Sequence, residues 1–445
     1  MVTTGCHFHE CDEQNPSGQS AETKPNGFFS AGLFFPILLL CEKGGRTRFV
    51  MTPRLSSPHE TLFAKLLFLK LLVKLAVFGI ISTLQNSLAH AILKNLMFAT
   101  YLTTIALAAF VDVALPALPE HPKGVYMTSI TAASDYGKEL TADLKSAGGN
   151  MVVIDIQDGN ARLSYASSVP ISAELGMQGE TFSDLSGLVR SLHLRGFYIV
   201  ARFVAFKQPH LAQTKTAWAL KDRSTGAPFT ARDGLVWLDP SNPELIDYLL
   251  AVSLELADMG FDEIQYDYIR FPEAGARGYI GYAWQQSEKD RERVITEFVT
   301  TAAAALHEKG VKVGLDVFGV VAWNDGYDGK IIGQNIADLS RVVDAIYPMI
   351  YPSHFGDGFS GIKNPAGQPY YMVSESTKKF LALMRGGRAV VRPWLQGFVY
   401  RVPNYGTWYV EEQMKALEDL GIQEYVVWNA GNRYTESLPA FKKFK

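Results

Sequence analysis

The sequence predicts an α/β protein: a (β/α)8 TIM barrel preceded by a non-barrel N-terminal segment. From residue 121 onward, about eight short runs rich in β-branched and aromatic residues alternate with amphipathic helical runs. One run, 263–270, has polar residues at alternate positions (Glu263, Gln265 and Asp267), which is typical of a strand that lines a site. The main alternative is a doubly wound sheet, which would need a glycine-rich phosphate loop after its first strand. Residues 128–131 read Thr-Ser-Ile-Thr and are not such a loop.

The predicted strands span 125–129, 151–156, 197–205, 263–270, 311–318, 344–351, 391–398 and 425–428. The predicted helices span 134–147, 183–195, 241–259, 287–309, 378–384 and 410–420. Capping residues support several of these bounds. Ser134 is a typical N-cap, Pro243 suits a first helical turn, and Gly148 and Gly260 follow predicted helix ends.

The N-terminal part divides into an extension, 1–94, and a signal peptide or membrane anchor with a Pro-rich linker, 95–120. Apolar stretches occupy 28–41, 62–81 and 96–111, and lysines interrupt the middle one. The third contains Ala-Leu-Ala at 106–108, a small-x-small cleavage pattern. Either the assigned start lies too far upstream, or a real extension carries a membrane-spanning helix. Both alternatives predict an exported protein (periplasmic, cell-surface or extracellular), secreted or membrane-anchored, with the barrel at 121–445.

Composition narrows the possible partners and cofactors. The formal net charge is -3, which argues against nucleic acid, since phosphate binding needs a basic face. The cysteines, Cys6, Cys11 and Cys41, all precede the barrel, so we expect no disulfide framework in it. Cys6 and Cys11 have histidines nearby, but no zinc-site spacing is completed downstream. We therefore expect a carbohydrate partner, no metal and no cofactor.

Two aspartates are the candidate catalytic residues. Asp267 ends predicted strand four, and Asp316 lies in predicted strand five between Leu315 and Val317. Carboxyl groups on adjacent strands suit glycoside hydrolysis, in which an ionised group attacks or stabilises the sugar and a protonated group supplies the proton to the leaving oxygen. Neighbouring charge and an apolar setting separate their pKa values. We expect Asp267 to be the nucleophile or stabilising carboxylate and Asp316 the proton donor.

Other polar and aromatic residues near strand ends are candidates for substrate binding, because flat rings stack on sugar faces and polar groups bind hydroxyls. Glu263 lies deeper in its strand and is expected to form a structural ion pair. The candidate substrate-binding residues are Asp155, Arg202, Gln265, Arg270, Tyr347, Tyr351, His354, Trp394, Gln396, Trp428 and Asn429.

Three motifs carry a resemblance to a known family. They are Asp-Tyr-Ile-Arg-Phe-Pro from Asp267, Gly-Leu-Asp-Val-Phe-Gly from Gly314, and Tyr-Pro-Met-Ile-Tyr-Pro-Ser-His from Tyr347. Together they resemble the putative glycosyl hydrolase domain family over about residues 122–440. The resemblance implies a TIM barrel related to glycoside hydrolases, without a defined substrate.

The sequence patterns of two better-known families match predicted strand four only in part. Predicted strand four is distantly similar to that of the alpha-amylase family, which supports Asp267 as nucleophile, although Gln265 replaces an arginine of that pattern. The chitinase-like pattern would place its catalytic glutamate at Ile269, which disfavours chitinase chemistry.

The expected function is therefore a glycosidase that cleaves O-glycosidic bonds in a polysaccharide or oligosaccharide by a carboxylate pair. The alternative is a non-catalytic glycan-binding barrel, favoured by Gln265 and by the short side chain of Asp316. A polysaccharide lyase or deacetylase is a weaker third hypothesis, and a deacetylase would need a metal cluster that the sequence does not contain.

Overall fold

The computed structural model describes residues 115–273, 280–281, 291–323, 327–402 and 404–445, together with 41–43 and 46–48. The chain divides into two compact units, Cys11–Ala114 and a larger one that contains Leu115–Lys445. In the smaller unit, Cys41–Lys43 pairs with Arg46–Arg48 as an antiparallel ribbon. The rest of the predicted extension, and the predicted signal or anchor segment up to residue 114, lie outside the described residues. None of the helices that the structure describes has the length and hydropathy needed to cross a bilayer.

The larger unit is a closed parallel barrel, as the sequence predicts. Each strand pairs with the next, and the last pairs with the first through Tyr425 and Lys123, which closes the sheet. The described strands are β1 (Lys123–Met127), β2 (Met151–Asp155), β3 (Tyr198–Val204), β4 (Glu263–Asp267), β5 (Lys312–Phe318), β6 (Ala345–Ile350), β7 (Val390–Val391 and Trp394–Gln396) and β8 (Tyr425–Trp428).

Helices follow the strands and cover the outside of the barrel. The described helices are α1 (Ser129–Ala132), α2 (Asp135–Ala147), α3 (Pro170–Glu174), α4 (Leu185–Leu194), α5 (Pro209–Thr214), α6 (Pro243–Asp258), α7 (Arg291–Glu308), α8 (Tyr327–Ile332), α9 (Ile336–Val342), α10 (Pro369–Leu383), α11 (Thr407–Glu418) and α12 (Ser437–Lys443). The loops above the barrel also contain short strands at Lys221–Asp222 and Ile280–Gly281, which pair with each other.

The predicted capping residues hold the helix ends. The Ser134 side chain accepts a hydrogen bond from the Gly137 amide at the start of α2, and Gly148 ends that helix at φ 99°. The Asn242 side chain accepts from the Leu245 amide at the start of α6, where Pro243 occupies the first turn. These local signals explain why the start of α2 and the first turn of α6 were predictable.

Other bounds differ from the prediction. Strand β4 ends at Asp267 rather than at 270, because Tyr268 turns the chain at φ 49°. Strand β7 breaks at Pro393, which has no backbone N–H to donate to a ladder. The predicted helix at 378–384 begins earlier, at Pro369. Its middle contains Ser374, Ser376 and Thr377, poor helix formers that are buried here. Helices α1, α3, α5, α8, α9 and α12 were not predicted.

Strand alternation separates the barrel interior from the outer layer. On β4, Tyr266 points outward, where its hydroxyl lies 2.6 Å from Ser253 Oγ of α6 and its ring packs 5.4 Å from Phe298 of α7. The alternate residues Glu263 and Asp267 point inward and contact other strands. The predicted polar face of this strand therefore lines the inside of the barrel.

A buried charged layer crosses the lower part of the barrel. Arg392 Nη1 donates to Glu263 Oε2 at 2.9 Å, and Arg392 Nη2 donates to Glu424 Oε2 at 2.6 Å. The hydroxyls of Tyr198 and Tyr347 donate to Glu263 at 2.8 and 2.5 Å. Glu263 is thus a structural ion-pair residue, fully buried, as expected from its depth in the strand.

Gly314 makes room for this layer. A Cβ atom at this position would lie 2.2 Å from Glu263 Oε1 and 2.6 Å from the ring of Tyr347. Both neighbours are fully buried, so neither can move aside without cost. The glycine of the Gly-Leu-Asp motif is therefore a steric requirement of the fold.

We predict that Arg392→Met destabilises the protein by about 3–5 kcal/mol, because it leaves the buried Glu263 carboxylate without its cation. The matched control is Arg341→Met, which breaks a pair with Asp338 in which both side chains are about half exposed, and it should cost no more than about 1 kcal/mol. Urea unfolding followed by circular dichroism measures both values. Equal, small losses would contradict the structural role of the Arg392 layer.

Candidate active site

Arg202 is the centre of a polar cluster at the C-terminal mouth of the barrel. Its Nη1 donates to Asp155 Oδ1 at 2.6 Å, and its Nη2 donates to Asp267 Oδ2. The Tyr126 hydroxyl donates to the other oxygen of Asp155. Burial acts to lower the pKa of Arg202, but the carboxylates of Asp155 and Asp267 outweigh it and raise that pKa well above its usual value. The guanidinium is therefore a fixed positive charge that joins β2, β3 and β4.

Both carboxylate oxygens of Asp267 accept hydrogen bonds. Besides the Arg202 contact on Oδ2, its Oδ1 accepts the backbone N–H of Tyr268 at 2.6 Å. A guanidinium and a backbone N–H are donors of the kind that bind a carboxylate. The side chain is 7% exposed, so it is nearly buried.

Asp316 has a different environment. Its Oδ1 accepts the Trp394 indole N–H at 2.6 Å, whereas its Oδ2 has no hydrogen-bond partner among the described residues. Burial raises the pKa of Asp316 well above its usual range, and the nearby Asp267 carboxylate raises it further. The Arg202 guanidinium and the Trp394 N–H oppose this shift without cancelling it. Asp316 therefore keeps its proton at pH values where an ordinary aspartate has ionised.

Arg202 and Asp316 form a long ion pair without a hydrogen bond. Arg202 Nε lies 3.6 Å from Asp316 Oδ2, beyond good hydrogen-bond distance. The remaining guanidinium nitrogens already bind Asp155 and Asp267. Because the terminal nitrogens of Arg202 hydrogen-bond to Asp155 and Asp267 rather than to Asp316, the geometry agrees better with a protonated Asp316 than with an ionised one.

The strand register brings the two aspartates together. On the β4–β5 pair, Gln265 lies opposite Gly314 and Tyr266 opposite Leu315, so the next residues, Asp267 and Asp316, come side by side. Both line the same narrow cavity. Two neighbouring carboxyl groups in unlike environments thus face one space at the mouth.

An aromatic wall stands beside the carboxyl groups. The rings of Tyr351 and Trp428 stack at 5.5 Å, and Phe398 packs edge-on to both. Tyr126 lies 6.3 Å from Trp428 and connects this wall to Asp155. Burial raises the pKa of Tyr351 well above its usual value, and the nearby carboxyl groups of the site raise it further. The wall therefore adjoins the carboxyl groups.

His354 lies at the edge of this wall. Its ring is 5.3 Å from Tyr351 and 5.7 Å from Phe398, and its Nδ1 is 3.3 Å from Ser353 Oγ. Burial lowers the pKa of His354 to about 4, and Arg401 contributes in the same direction. The imidazole is consequently neutral at ordinary pH and offers one donor and one acceptor.

The structure brings together most of the predicted site residues but not all of them. Asp155, Arg202, Asp267, Asp316 and Trp394 form the hydrogen-bonded cluster described above. Among the aromatic candidates, Tyr351, His354 and Trp428 form the wall.

Other predicted residues serve the scaffold around the mouth. Tyr347 lies in the buried interior, with its hydroxyl bound to Glu263. The Gln396 amide accepts from the Ser353 backbone and donates to the Phe398 carbonyl, and Asn429 donates to the Gly397 carbonyl. These bonds hold the loops after β6, β7 and β8.

Arg270 and Gln265 are both buried, and Arg270 lines the cavity shared by Asp267 and Asp316. The Arg270 guanidinium lies 4.4 Å from the Phe318 ring centre and 4.8 Å from that of Trp237. The Gln265 amide has no hydrogen-bond partner within the described part of the chain. Contacts of these two residues with a substrate stay a prediction.

Sequence reasoning missed Tyr126, Phe398 and Tyr268. Tyr126 becomes part of the site only because β8 closes onto β1, a long-range pairing. Phe398 lies in a loop after a strand that ends earlier than predicted. For Tyr268 the available signal was its position directly after Asp267 at a strand end.

Among the described residues, no group of three or more His, Cys, Asp or Glu side chains is arranged to hold a metal ion. The carboxyl groups of Asp155 and Asp267 both bind Arg202. The chemistry that this arrangement offers is proton transfer and electrostatic stabilisation by side chains.

Comparisons with solved structures find similar folds at low similarity. A hypothetical protein from Ruminiclostridium thermocellum is 30% identical, with a TM-score of 0.37, over 43% of this chain and 97% of that one. The glycoside hydrolase domain of PgaB (BpsB) from Bordetella bronchiseptica is 14% identical, with a TM-score of 0.49, over 70% and 94%. A chitobiase from Flavobacterium johnsoniae is 13% identical, with a TM-score of 0.45, over 73% and 48%. No curated protein matches the chain.

A comparison with family models is more informative. The model described as "Putative glycosyl hydrolase domain" matches residues 124–434, which include all eight barrel strands except the first residue of β1. This match covers well over half of the chain. The chain therefore belongs to the putative glycosyl hydrolase domain family.

Proposed function

We propose that this protein is a glycoside hydrolase that cleaves O-glycosidic bonds with Asp316 as proton donor and Asp267 as nucleophile or stabilising carboxylate. The observation that carries the proposal is the contrast between the two carboxyl groups. Asp267 binds donors on both oxygens, whereas Asp316 is buried with one oxygen free of partners among the described residues. Glycosidases need one ionised and one protonated carboxyl group at the scissile bond.

In the first step, the proton of Asp316 passes to the glycosidic oxygen as the bond between that oxygen and the anomeric carbon breaks. The leaving sugar departs as an alcohol, and Asp316 is left as a carboxylate. Positive charge develops on the anomeric carbon, where the Asp267 carboxylate bonds to it or stabilises it. Arg202 holds Asp267 in place during this step.

In the second step, a water molecule attacks the anomeric carbon. The Asp316 carboxylate accepts a proton from that water, the bond or contact to Asp267 is released, and both groups return to their starting states. The weak 3.6 Å contact with Arg202 Nε helps Asp316 to carry its transient negative charge.

The aromatic wall supports a carbohydrate substrate. The Tyr351–Trp428 stack and the edge-on Phe398 provide flat apolar faces of the kind that pack on sugar rings. The neutral His354 can exchange hydrogen bonds with a sugar hydroxyl. A glycan-binding barrel without turnover would use the same wall, so activity measurements separate the two functions.

We predict that Asp267→Asn and Asp316→Asn each lower kcat by about 10²–10⁴-fold while glycan binding is kept, because each removes one chemical role. The matched control is Asp258→Asn, a surface aspartate with 66% exposure, which should keep full activity. Release of reducing ends from a panel of polysaccharides measures turnover. Binding without turnover in the wild-type protein would instead support the non-catalytic glycan-binding barrel.

We predict that Trp394→Phe moves the alkaline limb of the pH–activity profile to higher pH. The Trp394 N–H stabilises ionised Asp316, so its loss raises the pKa of Asp316 further, and the acid stays protonated to higher pH. Trp323→Phe is the control, because it removes a buried indole N–H bound to Ser376 outside the site. An alkaline limb that stays unchanged or moves to lower pH would contradict the assignment of Asp316 as the acid.

We also propose that the protein is exported and acts on a glycan outside the cytoplasm, secreted or held at a membrane. The support is the apolar stretch 96–111 with its small-residue end, ahead of the barrel. Cell fractionation with an antibody against the barrel is expected to detect it outside the cytoplasm. Recovery of the protein entirely in the cytosolic fraction would overturn this proposal.

A further inference from the structure

Tyr268, the residue after Asp267, has an unusual backbone conformation. Its φ is 49°, in the left-handed region that residues with a side chain rarely adopt. Of the described non-glycine residues with positive φ, Tyr268 is the one whose backbone N–H binds a carboxylate of the Arg202 cluster. Such strain persists only where the surroundings hold it.

The strained turn fixes the backbone on both sides of Asp267. The Asp267 carbonyl accepts from the Ala205 amide at 2.8 Å, and the Tyr268 carbonyl accepts from the Phe206 amide at 3.3 Å. Backbone hydrogen bonds between the β3 and β4 segments therefore continue beyond the last residues of both strands. Between these bonds, the Tyr268 N–H reaches Asp267 Oδ1 at 2.6 Å.

The Tyr268 side chain is anchored on several sides. Trp237, which is 2% exposed, packs edge-on to its ring at 5.9 Å. Lys207 Nζ lies 4.8 Å from the ring centre, and the Arg270 guanidinium lies 5.3 Å from it. Cations over an aromatic face are attracted by its electron density. These contacts oppose relaxation of the turn.

We propose that Tyr268 is a positioning residue for Asp267: its anchored ring maintains the left-handed turn, and the turn keeps the backbone N–H on Oδ1. With Arg202 on Oδ2, this contact fixes the plane of the Asp267 carboxylate at the mouth. The inference rests on the proposed function, because it assigns Tyr268 a role in that reaction. It also explains why a bulky aromatic residue occupies a position that suits glycine.

The test compares crystal structures and steady-state kinetics of the full-length wild-type protein and three variants. Tyr268→Ala removes the ring that anchors the turn but keeps the strain of a positive φ, and Tyr268→Phe keeps the ring. Ser360→Ala is the control, since it shortens the side chain at another positive φ, 50°, at an exposed residue outside the site.

We expect the Asp267 carboxylate to reorient in Tyr268→Ala and kcat to fall by about tenfold or more, since small misplacements of catalytic groups are costly. KM should change less than kcat, because Tyr268 acts through Asp267. Tyr268→Phe and Ser360→Ala should both keep the wild-type kcat. If Tyr268→Ala does not fold, Tyr268→Leu removes the flat ring with less disturbance and should show the same loss.

Retention of both the Asp267 orientation and kcat in the alanine variant would overturn the proposal, as would a wild-type crystal structure with Tyr268 at negative φ. A wild-type protein without turnover on any glycan would refute the proposed function alone. The crystallographic comparison would then still decide the positioning role, because it measures the orientation of Asp267 directly.

Discussion

The site depends on how Arg202 distributes its hydrogen bonds. Its terminal nitrogens hydrogen-bond to Asp155 and Asp267, whereas Asp316 has only the longer 3.6 Å contact with Nε. One guanidinium thereby gives Asp267 and Asp316 different surroundings within a single layer of the barrel. Burial and the nearby Asp267 carboxylate raise the pKa of Asp316 against the opposing effect of this cation. The proposed roles of the two aspartates follow from this difference rather than from residue type.

The barrel supplies the rigidity that such an arrangement needs. Below the mouth, the Arg392–Glu263 layer and the close approach at Gly314 join strands far apart in the sequence. Above it, the amides of Gln396 and Asn429 fix the loops after β6, β7 and β8. Positioning of charged groups before the reaction is a large part of enzymatic rate enhancement. The interior of this barrel, much of it polar and buried, is consistent with that requirement.

Local patterns made much of the fold predictable, and long-range geometry accounts for the rest. Alternation along β4 predicted that Glu263 and Asp267 share the inner face, and capping residues predicted the ends of α2. Tyr347 lies deeper than expected, because it is the third of six residues in β6 and its hydroxyl reaches down to Glu263. Tyr126 joins the site only through closure of β8 on β1. Neither effect leaves a signal within one segment of sequence.

The most direct test of the account is the protonation state of Asp316. Difference infrared spectroscopy on full-length protein labelled with ¹³C-aspartate, at neutral pH, detects a protonated carboxyl group by its C=O stretch. Because burial raises the pKa of Asp316, we predict such a band in the wild-type protein and its loss in Asp316→Asn. A wild-type spectrum with no protonated carboxyl group, or one that persists unchanged in Asp316→Asn, would contradict it.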